Sequence, residues 1–378
     1  MKIFFFFIII IILSSCNKKI IKNTKGLDPY NEKHIEKEEK NSKIDNLEME
    51  ALVVKKDKIV SLSQLFKEAN EFVILDEYKN ALSSYKKIGN IISEDEKPLL
   101  DYNIAVTYFK MKEFDKALDK YSSIIKKYKI DNDFLIDVII NITEIYGKRK
   151  EWKKINILLD KYYSKFNFID NKWDFLELSI KYEVALYHEK RFDDAEFTVL
   201  KAYRQFKKYR NIFPYLSREQ RYFLSMGYFF IGEITAQRFE QIEIKGSIKK
   251  TASILDRKSE LVLRAQNYYM NSMNFKDKYW ATASGYRIGE MYDVFYEQII
   301  KAKINVKLTF EERIVYKEEL KLRIQSLLKK AIAIFEENIK MSERLSENNI
   351  WIKKTLERLE DAKKKYLQIK RIEIQKEL

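Results

Sequence analysis

Residues 102–128, YNIAVTYFKMKEFDKALDKYSSIIKKY, contain two apolar stretches of helical period on either side of a short break. The first stretch has its apolar residues on one helical face: Ile104, Ala105 and Tyr108. The second stretch does the same: Phe114, Ala117, Tyr121 and Ile124. The break falls at residues 111–113, and the small side chains of Ala105 and Ala117 allow close approach of the two helices. The stretch therefore predicts a helical hairpin.

This hairpin resembles the tetratricopeptide repeat, a helix-turn-helix unit of about 34 residues. The pattern recurs once before it and twice after it, with second-helix anchors at Ala81, Ala117, Ile155 and Ala195. The anchors are 36, 38 and 40 residues apart, which predicts extended loops or helix ends. Asp101 stands where the repeat consensus has Trp, and the closing Pro is absent, so the repeats are degenerate.

The composition agrees with an all-helical chain, because 378 residues include only 8 Gly and 3 Pro. We expect an all-α fold: a tetratricopeptide-like α-solenoid of helical hairpins followed by longer irregular helices. The predicted divisions are a lipoprotein signal peptide (1–15), a lipidated Cys16 with a flexible tether (16–58), tetratricopeptide-like repeats (59–210) and a helical C-terminal section with degenerate repeats (211–378).

The C-terminal section contains a motif twice, GYFFIGEITAQRFEQI at 227–242 and GYRIGEMYDVFYEQI at 285–299, with an offset of 57 residues. Gly232 and Gly289 take the place of the small first-helix residue of a repeat, and we expect them to allow close helix crossings. Glu240 and Glu297 could form paired carboxylates for acid-base or metal chemistry, but a repeated helix surface is the favoured interpretation. Residues 311–344 and 348–376 read as two long amphipathic helices.

The N-terminus has the pattern of a secretory signal: a charged start, then the apolar residues 3–13. Leu13-Ser14-Ser15-Cys16 resembles the bacterial lipobox, which implies cleavage before Cys16 and a diacylglycerol on its sulfur. An ordinary signal peptide with an incidental cysteine is the alternative. Cys16 is the only cysteine, so the fold has no disulfide. The polar, charged residues that follow predict a flexible tether.

The lipobox implies a location outside the cytoplasm, with a lipid anchor in the cell membrane. Asn17 follows the cysteine, where an Asp would indicate retention at the inner membrane, so the outer membrane is favoured, on its periplasmic face or at the surface. The net charge of +15 comes from basic residues interspersed with Asp and Glu along the helices. This pattern is typical of a solvated mixed-charge surface, and we expect no nucleic-acid partner.

Motifs for catalysis or cofactors are absent from the sequence. The two histidines, His34 and His188, do not form a zinc-ligand pattern, and there is no glycine-rich phosphate loop or G-x-S-x-G elbow. We expect a non-catalytic protein without a metal or cofactor.

The resemblance to tetratricopeptide repeats implies peptide or helix binding in the groove formed by the first helices. Carrying the groove positions over gives Asn70, Tyr102, Asn103, Val106, Lys110, Glu144, Lys148 and His188. Tyr102 and Lys110 are expected to face this groove without supporting the core. One subfamily grips a C-terminal carboxylate with Lys, Asn and Arg. Asn70 and Asn103 match its asparagines, but Phe66 and Asp137 replace its cations, so the clamp is broken.

Two functions follow as hypotheses. In the first, the chain is a membrane-anchored lipoprotein that acts as a protein-protein interaction scaffold in the bacterial cell envelope and binds an envelope protein or peptide. In the second, it is a surface-exposed lipoprotein that binds a host or environmental ligand.

Overall fold

The computed structural model describes residues 62–162, 165, 172–209, 215–304 and 309–377. The predicted signal peptide, Cys16 and the tether lie outside these ranges. The described residues form thirteen α-helices and two strands of two residues each, which confirms the predicted all-α fold of helical hairpins. They fall into two compact units, which we call the N-terminal unit (62–189) and the C-terminal unit (190–377).

Seven helices make up the N-terminal unit: α1 (Leu62–Ile74), α2 (Tyr78–Gly89), α3 (Lys97–Lys110), α4 (Phe114–Lys127), α5 (Asn132–Lys148), α6 (Trp152–Tyr162) and α7 (Lys172–His188). Each helix packs on the next one in sequence, and α3 and α7 also contact α1 and α5, respectively. The first helices of successive repeats are therefore neighbours, as in a tetratricopeptide array.

Alanines lie at the closest helix crossings of this unit. Ala81, Ala105 and Ala117 are fully buried, and Ile155 is buried as well, as the repeat pattern predicted. One core cluster joins α1, α2 and α3, and a second joins α3, α4 and α5. The core thus continues from repeat to repeat, and each hairpin buries its apolar face on its neighbours.

The turns inside the hairpins share one backbone geometry. Asp76, Lys112, Lys150 and Lys190 have φ angles of 60°, 62°, 57° and 63°, in the left-handed region. At Lys112 the turn is a Schellman motif, since Lys112 N–H donates to the carbonyl of Phe109 and Glu113 N–H donates to that of Tyr108. This turn reverses the chain within three residues and sets the hairpin angle.

Six helices make up the C-terminal unit: α8 (Phe192–Tyr209), α9 (Arg218–Gln241), α10 (Ile248–Asn274), α11 (Lys278–Ile300), α12 (Phe310–Arg344) and α13 (Ile350–Glu377). The last two agree with the long helices predicted at 311–344 and 348–376. Strands β1 (Lys245–Gly246) and β2 (Lys303–Ile304) pair in parallel, one in the connection after α9 and the other in the connection after α11.

The repeated Gly-Glu motif lies in α9 and α11, but not in the first helix of a hairpin as expected. Left-handed turn residues occur at Lys276, between α10 and α11, and at Ser346, between α12 and α13. By this turn geometry α10 and α12 are the first helices, because α9 and α11 end in the longer, strand-containing connections. The two units also divide one helix earlier than the predicted boundary at 210 and 211.

Candidate partner-binding surface

The left-handed turn residues give a common reference for comparing the repeats of the N-terminal unit. Two positions before each of them, the first helix ends, at Ile74, Lys110, Lys148 and His188. We call these four residues the edge row. All of them are exposed. Three of the predicted groove residues, Lys110, Lys148 and His188, are therefore structurally equivalent and recur once per repeat.

Lys148 is held in place by two contacts on its own side of the repeat. Its Nζ lies 3.0 Å from Glu144 Oε1 and 5.7 Å from the centroid of the Phe109 ring. The side chain is still about half exposed, so its charge is available to a partner. Lys110 is exposed at the equivalent position of the preceding repeat.

His188 differs from the lysines in charge. Its ring stacks on that of Trp152, with centroids 4.2 Å apart and an interplanar angle of 11°. Desolvation against this ring, with a smaller effect from the charge of Lys150, lowers the pKa of His188. The imidazole is therefore neutral at neutral pH, and it offers a partner a flat, polar ring rather than a charge.

Glu144 lies within an ion-pair network between α5 and α7. Desolvation alone would raise its pKa, but Lys181 and Lys148 together hold the pKa below its ordinary value. Lys181 Nζ lies 3.5 Å from Glu144 and 2.7 Å from Glu177, and Lys181 and Glu177 are both buried. Glu144 thus joins neighbouring first helices, and it remains ionised at neutral pH.

Tyr102 supports the core, which corrects the expectation that it does not. Its ring packs edge-on against Tyr121, with centroids 5.9 Å apart, and lies 5.4 Å from the ring of Phe134. Its hydroxyl accepts a hydrogen bond of 2.9 Å from Asn141 Nδ2. Burial, with a contribution from the charge of Asp137, raises the pKa of Tyr102. The long ring reaches back from the groove face to the adjacent helices.

The remaining predicted residues divide between packing and surface. Val106 is half-buried and packs on the core cluster of α3, α4 and α5. Asn103 is half-buried, and its backbone carbonyl accepts a hydrogen bond from Thr107. Asn70 is exposed, and its Oδ1 accepts a hydrogen bond of 2.5 Å from the Tyr85 hydroxyl.

Two polar residues of this face, Asn141 and Lys181, were not among the predicted groove residues. They occupy the position of Asn103 in the next two repeats, 38 and 40 residues further along at each step. These steps equal the spacings of the second-helix anchors, so extending the Asn103 position by the same period would have found both. Asn141 binds Tyr102, and Lys181 binds Glu144, so both tie neighbouring repeats together.

The C-terminal unit has one group of carboxylates, among the described residues, close enough together to hold a metal ion: Asp293, Glu297 and Asp361. Lys365 Nζ already lies 2.9, 2.5 and 2.6 Å from these three, respectively. The ammonium group supplies the positive charge that a cation would bring, so the group is a structural ion-pair network.

The two repeated glutamates of this unit each face a cation of their own. Glu240 lies 3.9 Å from Arg287, whereas Glu297 contacts Lys365. Arg287 is also bound by Glu233 and Glu290, the acidic residues of the two Gly-Glu steps. The motif therefore supplies ion pairs that join α9 to α11.

Within the ranges that the structure describes, no helix is both long and apolar enough to cross a membrane.

Comparisons with known proteins agree with the helical fold. Neither a protein-family model nor a curated protein matches the sequence. Among solved structures, the chain is similar to a tetratricopeptide repeat protein from Parabacteroides merdae, with 14% identity and a TM-score of 0.35 over 78% of this chain and 98% of that one. It is also similar to the C-terminal part of a TPR repeat-containing protein from Cytophaga hutchinsonii, with 14% identity and a TM-score of 0.30 over 74% of this chain and 98% of that one. The stacked hairpins and their shared turn define the fold as tetratricopeptide-like.

Proposed function

We propose that this chain is a membrane-anchored lipoprotein that acts as a non-catalytic scaffold for protein-protein interaction in the bacterial cell envelope. The observation that carries the proposal is the edge row, in which exposed polar side chains recur once per repeat at the ends of the first helices. A surface that repeats with the fold can bind an extended ligand at several points, which is how repeat proteins use their grooves.

The charge of the edge row defines the chemistry of the partner. Lys110 and Lys148 place two cations at equivalent positions of adjacent repeats, and the neutral ring of His188 follows in the next repeat. An acidic peptide or the acidic face of a helix, with carboxylates spaced to match adjacent repeats, is complementary to this row. We infer that the partner is an envelope protein with such a segment.

The anchor is tested at Cys16. Replacing Cys16 with Ala should block both acylation and signal cleavage, because the lipobox cysteine is the acyl acceptor. Cells grown with a radioactive fatty acid should label the wild type and leave the variant as a longer, unlabelled precursor. Equal labelling of both proteins would refute lipidation at this residue.

The binding surface is tested by photo-crosslinking in living cells. A photoreactive amino acid at position 110 or 148 should give an adduct with the same protein, whereas the same group at exposed position 86, in the second helix α2, should not. Lys110→Glu combined with Lys148→Glu should abolish the adduct formed from position 188. An adduct that persists in this variant would place the binding surface elsewhere.

Protease treatment of intact cells distinguishes the scaffold from the alternative function. A scaffold on the periplasmic face is protected until the outer membrane is opened. If intact cells lose the protein to the protease, the chain is exposed at the surface, and the alternative of a host or environmental ligand is then favoured.

A further inference from the structure

The last helix, α13, has a line of exposed aliphatic side chains on one face. Leu356, Leu367 and Ile374 are 52%, 60% and 57% exposed, respectively. At about 100° per residue they lie within roughly 20° of one another around the helix axis, and they span about 27 Å along it. We call these three residues the α13 stripe.

Basic residues flank the α13 stripe on both sides. Helical geometry places Lys353, Lys364 and Arg371 on one side and Lys363 and Lys370 on the other. Glu360 is the acidic residue of this face, and it lies 2.7 Å from Lys364. Lys363 contacts Glu336 of α12. The face thus combines an apolar centre with a strongly basic border.

The orientation of α13 about its own axis is fixed by its other side. Leu359, Ala362 and Ile369 are buried. Asp293 of α11, which is fully buried, accepts ion pairs from Arg358 at 2.8 Å and Lys365 at 2.9 Å. Rotation of the helix would break these buried ion pairs, so the α13 stripe stays on the outside.

We propose that the α13 stripe docks the C-terminal unit onto an anionic lipid surface. The three aliphatic side chains would enter the boundary between headgroups and acyl chains. The bordering lysines would lay their methylene stems along it and keep their ammonium groups at the lipid phosphates. A basic amphipathic helix of this kind is attracted to anionic lipids by both apolar burial and charge.

The spacing of the stripe favours a lipid surface over an acidic partner helix. Helix pairs pack side chains that recur every three or four residues. The stripe residues are instead 11 and 7 residues apart, so a partner helix would meet an aliphatic side chain only once in two or three turns. A lipid surface accepts side chains at any spacing. This docking is separate from the edge row, and it does not depend on acylation of Cys16.

The test uses the chain from residue 16 onward with Cys16→Ser, so that neither the signal peptide nor an acyl anchor contributes. In co-sedimentation we expect binding to vesicles that contain phosphatidylglycerol, little binding to phosphatidylcholine alone, and weaker binding as salt is raised. Leu367→Asn with Ile374→Asn should weaken binding by about tenfold or more, because apolar burial is lost. Lys370→Glu with Arg371→Glu should do the same through charge.

Matched control variants lie on another helix of the same unit. Phe197 of α8 is 62% exposed, so Phe197→Asn removes a comparable exposed apolar side chain. Lys207→Glu with Lys208→Glu reverses two exposed charges at the end of α8. Both controls should bind like the wild type, and circular dichroism should show equal helicity in all variants.

Three results would overturn the proposal. The wild type could fail to bind the anionic vesicles. The control and stripe variants could lose binding equally, which would make the interaction a general effect of net charge. The stripe variants could keep vesicle binding but lose binding to soluble polyglutamate, which would make the stripe a site for an acidic polypeptide.

Discussion

The backbone of Gly289 in α11 lies against the ring of Phe335 in α12, so closely that a Cβ on the glycine would stand 2.4 Å from the ring's Cε1. Gly232 in α9 has the same relation to Tyr269 in α10, at 2.6 Å. Two glycines 57 residues apart in the sequence thus make equivalent close crossings. This confirms the expectation drawn from the repeated Gly-Glu motif.

Gly289→Ala should therefore destabilise the protein. The added methyl must displace a fully buried aromatic ring, and overpacking of this kind typically costs about 1–3 kcal/mol. Gly147→Ala in α5 is the matched control. A Cβ there meets nothing within 4 Å, so helix propensity should give a gain of up to about 1 kcal/mol. Urea denaturation followed by circular dichroism measures both, and equal effects at the two sites would contradict the close crossing.

How far the sequence predicts this structure can be judged from particular residues. The positions of Ala81, Ala117 and Gly289 followed from the sequence, because small residues at a fixed period have few uses other than helix contact. The turns were harder to predict in detail. Lys112 and Lys150 adopt a left-handed conformation that favours Gly, and nothing in a lysine announces it. There, the packing of the two helices overrides local preference.

The strain at these turns can be relieved by substitution. Lys112→Gly should stabilise the protein by about 0.5–1 kcal/mol, since glycine adopts a φ of 62° without the steric cost that a side chain brings. Lys116→Gly, in the helix that follows, should instead destabilise it by about 1 kcal/mol. The two variants change the same residue type four positions apart. A loss of stability in both would show that the turn is not strained.

Ala117 offers a test of the repeat register. It is fully buried between helices, whereas Asp119 on the same helix is exposed. Ala117→Leu should cost about 1–3 kcal/mol through overpacking, and Asp119→Leu should change the melting temperature little. Thermal melts of the two variants side by side provide the measurement. Similar behaviour of both would mean that α4 has been assigned the wrong buried face.

Stability should depend on pH in an unusual direction above pH 8. Lys258 of α10 is fully buried, its ammonium donates to the carbonyls of Phe239 and Ile242, and burial lowers its pKa to about 8. Burial also lowers the pKa of Lys330 to about 8. In the unfolded chain both titrate near the ordinary lysine value of about 10.4. Between pH 8 and about 10 the unfolded chain therefore binds more protons, and the free energy of unfolding should rise with pH.

The same rise could come from the loss of net positive charge, so a variant is needed as control. Lys258→Met removes one of the two titrating groups and should reduce the slope between pH 8 and 10 by about half. Above about pH 10 the trend should reverse, because burial raises the pKa of Tyr292 and the unfolded chain then loses its proton first. Denaturation midpoints at constant ionic strength give the slope. An unchanged slope in the variant would show that Lys258 does not titrate in this range.

Tyr102 and Lys110 were expected to act together as groove residues, and the structure assigns them different roles. The Tyr102 ring packs on Tyr121 and Phe134, and its hydroxyl accepts a hydrogen bond from Asn141. The reason could not be read from helical period, which places Tyr102 on the groove face but does not show how far a ring reaches. Tyr102→Ala should therefore lower stability by about 2–4 kcal/mol, as truncation of a packed aromatic side chain does.

Lys110→Glu should leave the stability within about 0.5 kcal/mol of the wild type, because the side chain is exposed at the end of α3. Tyr102→Phe is the control that keeps the ring and removes only the hydroxyl, and it should cost about 1 kcal/mol through the bond to Asn141. Partner crosslinking from position 148 should then fall with Lys110→Glu and persist with Tyr102→Phe. If Tyr102→Phe abolished the crosslink with stability unchanged, the tyrosine hydroxyl would be a binding group after all, and the groove face would replace the edge row as the partner surface.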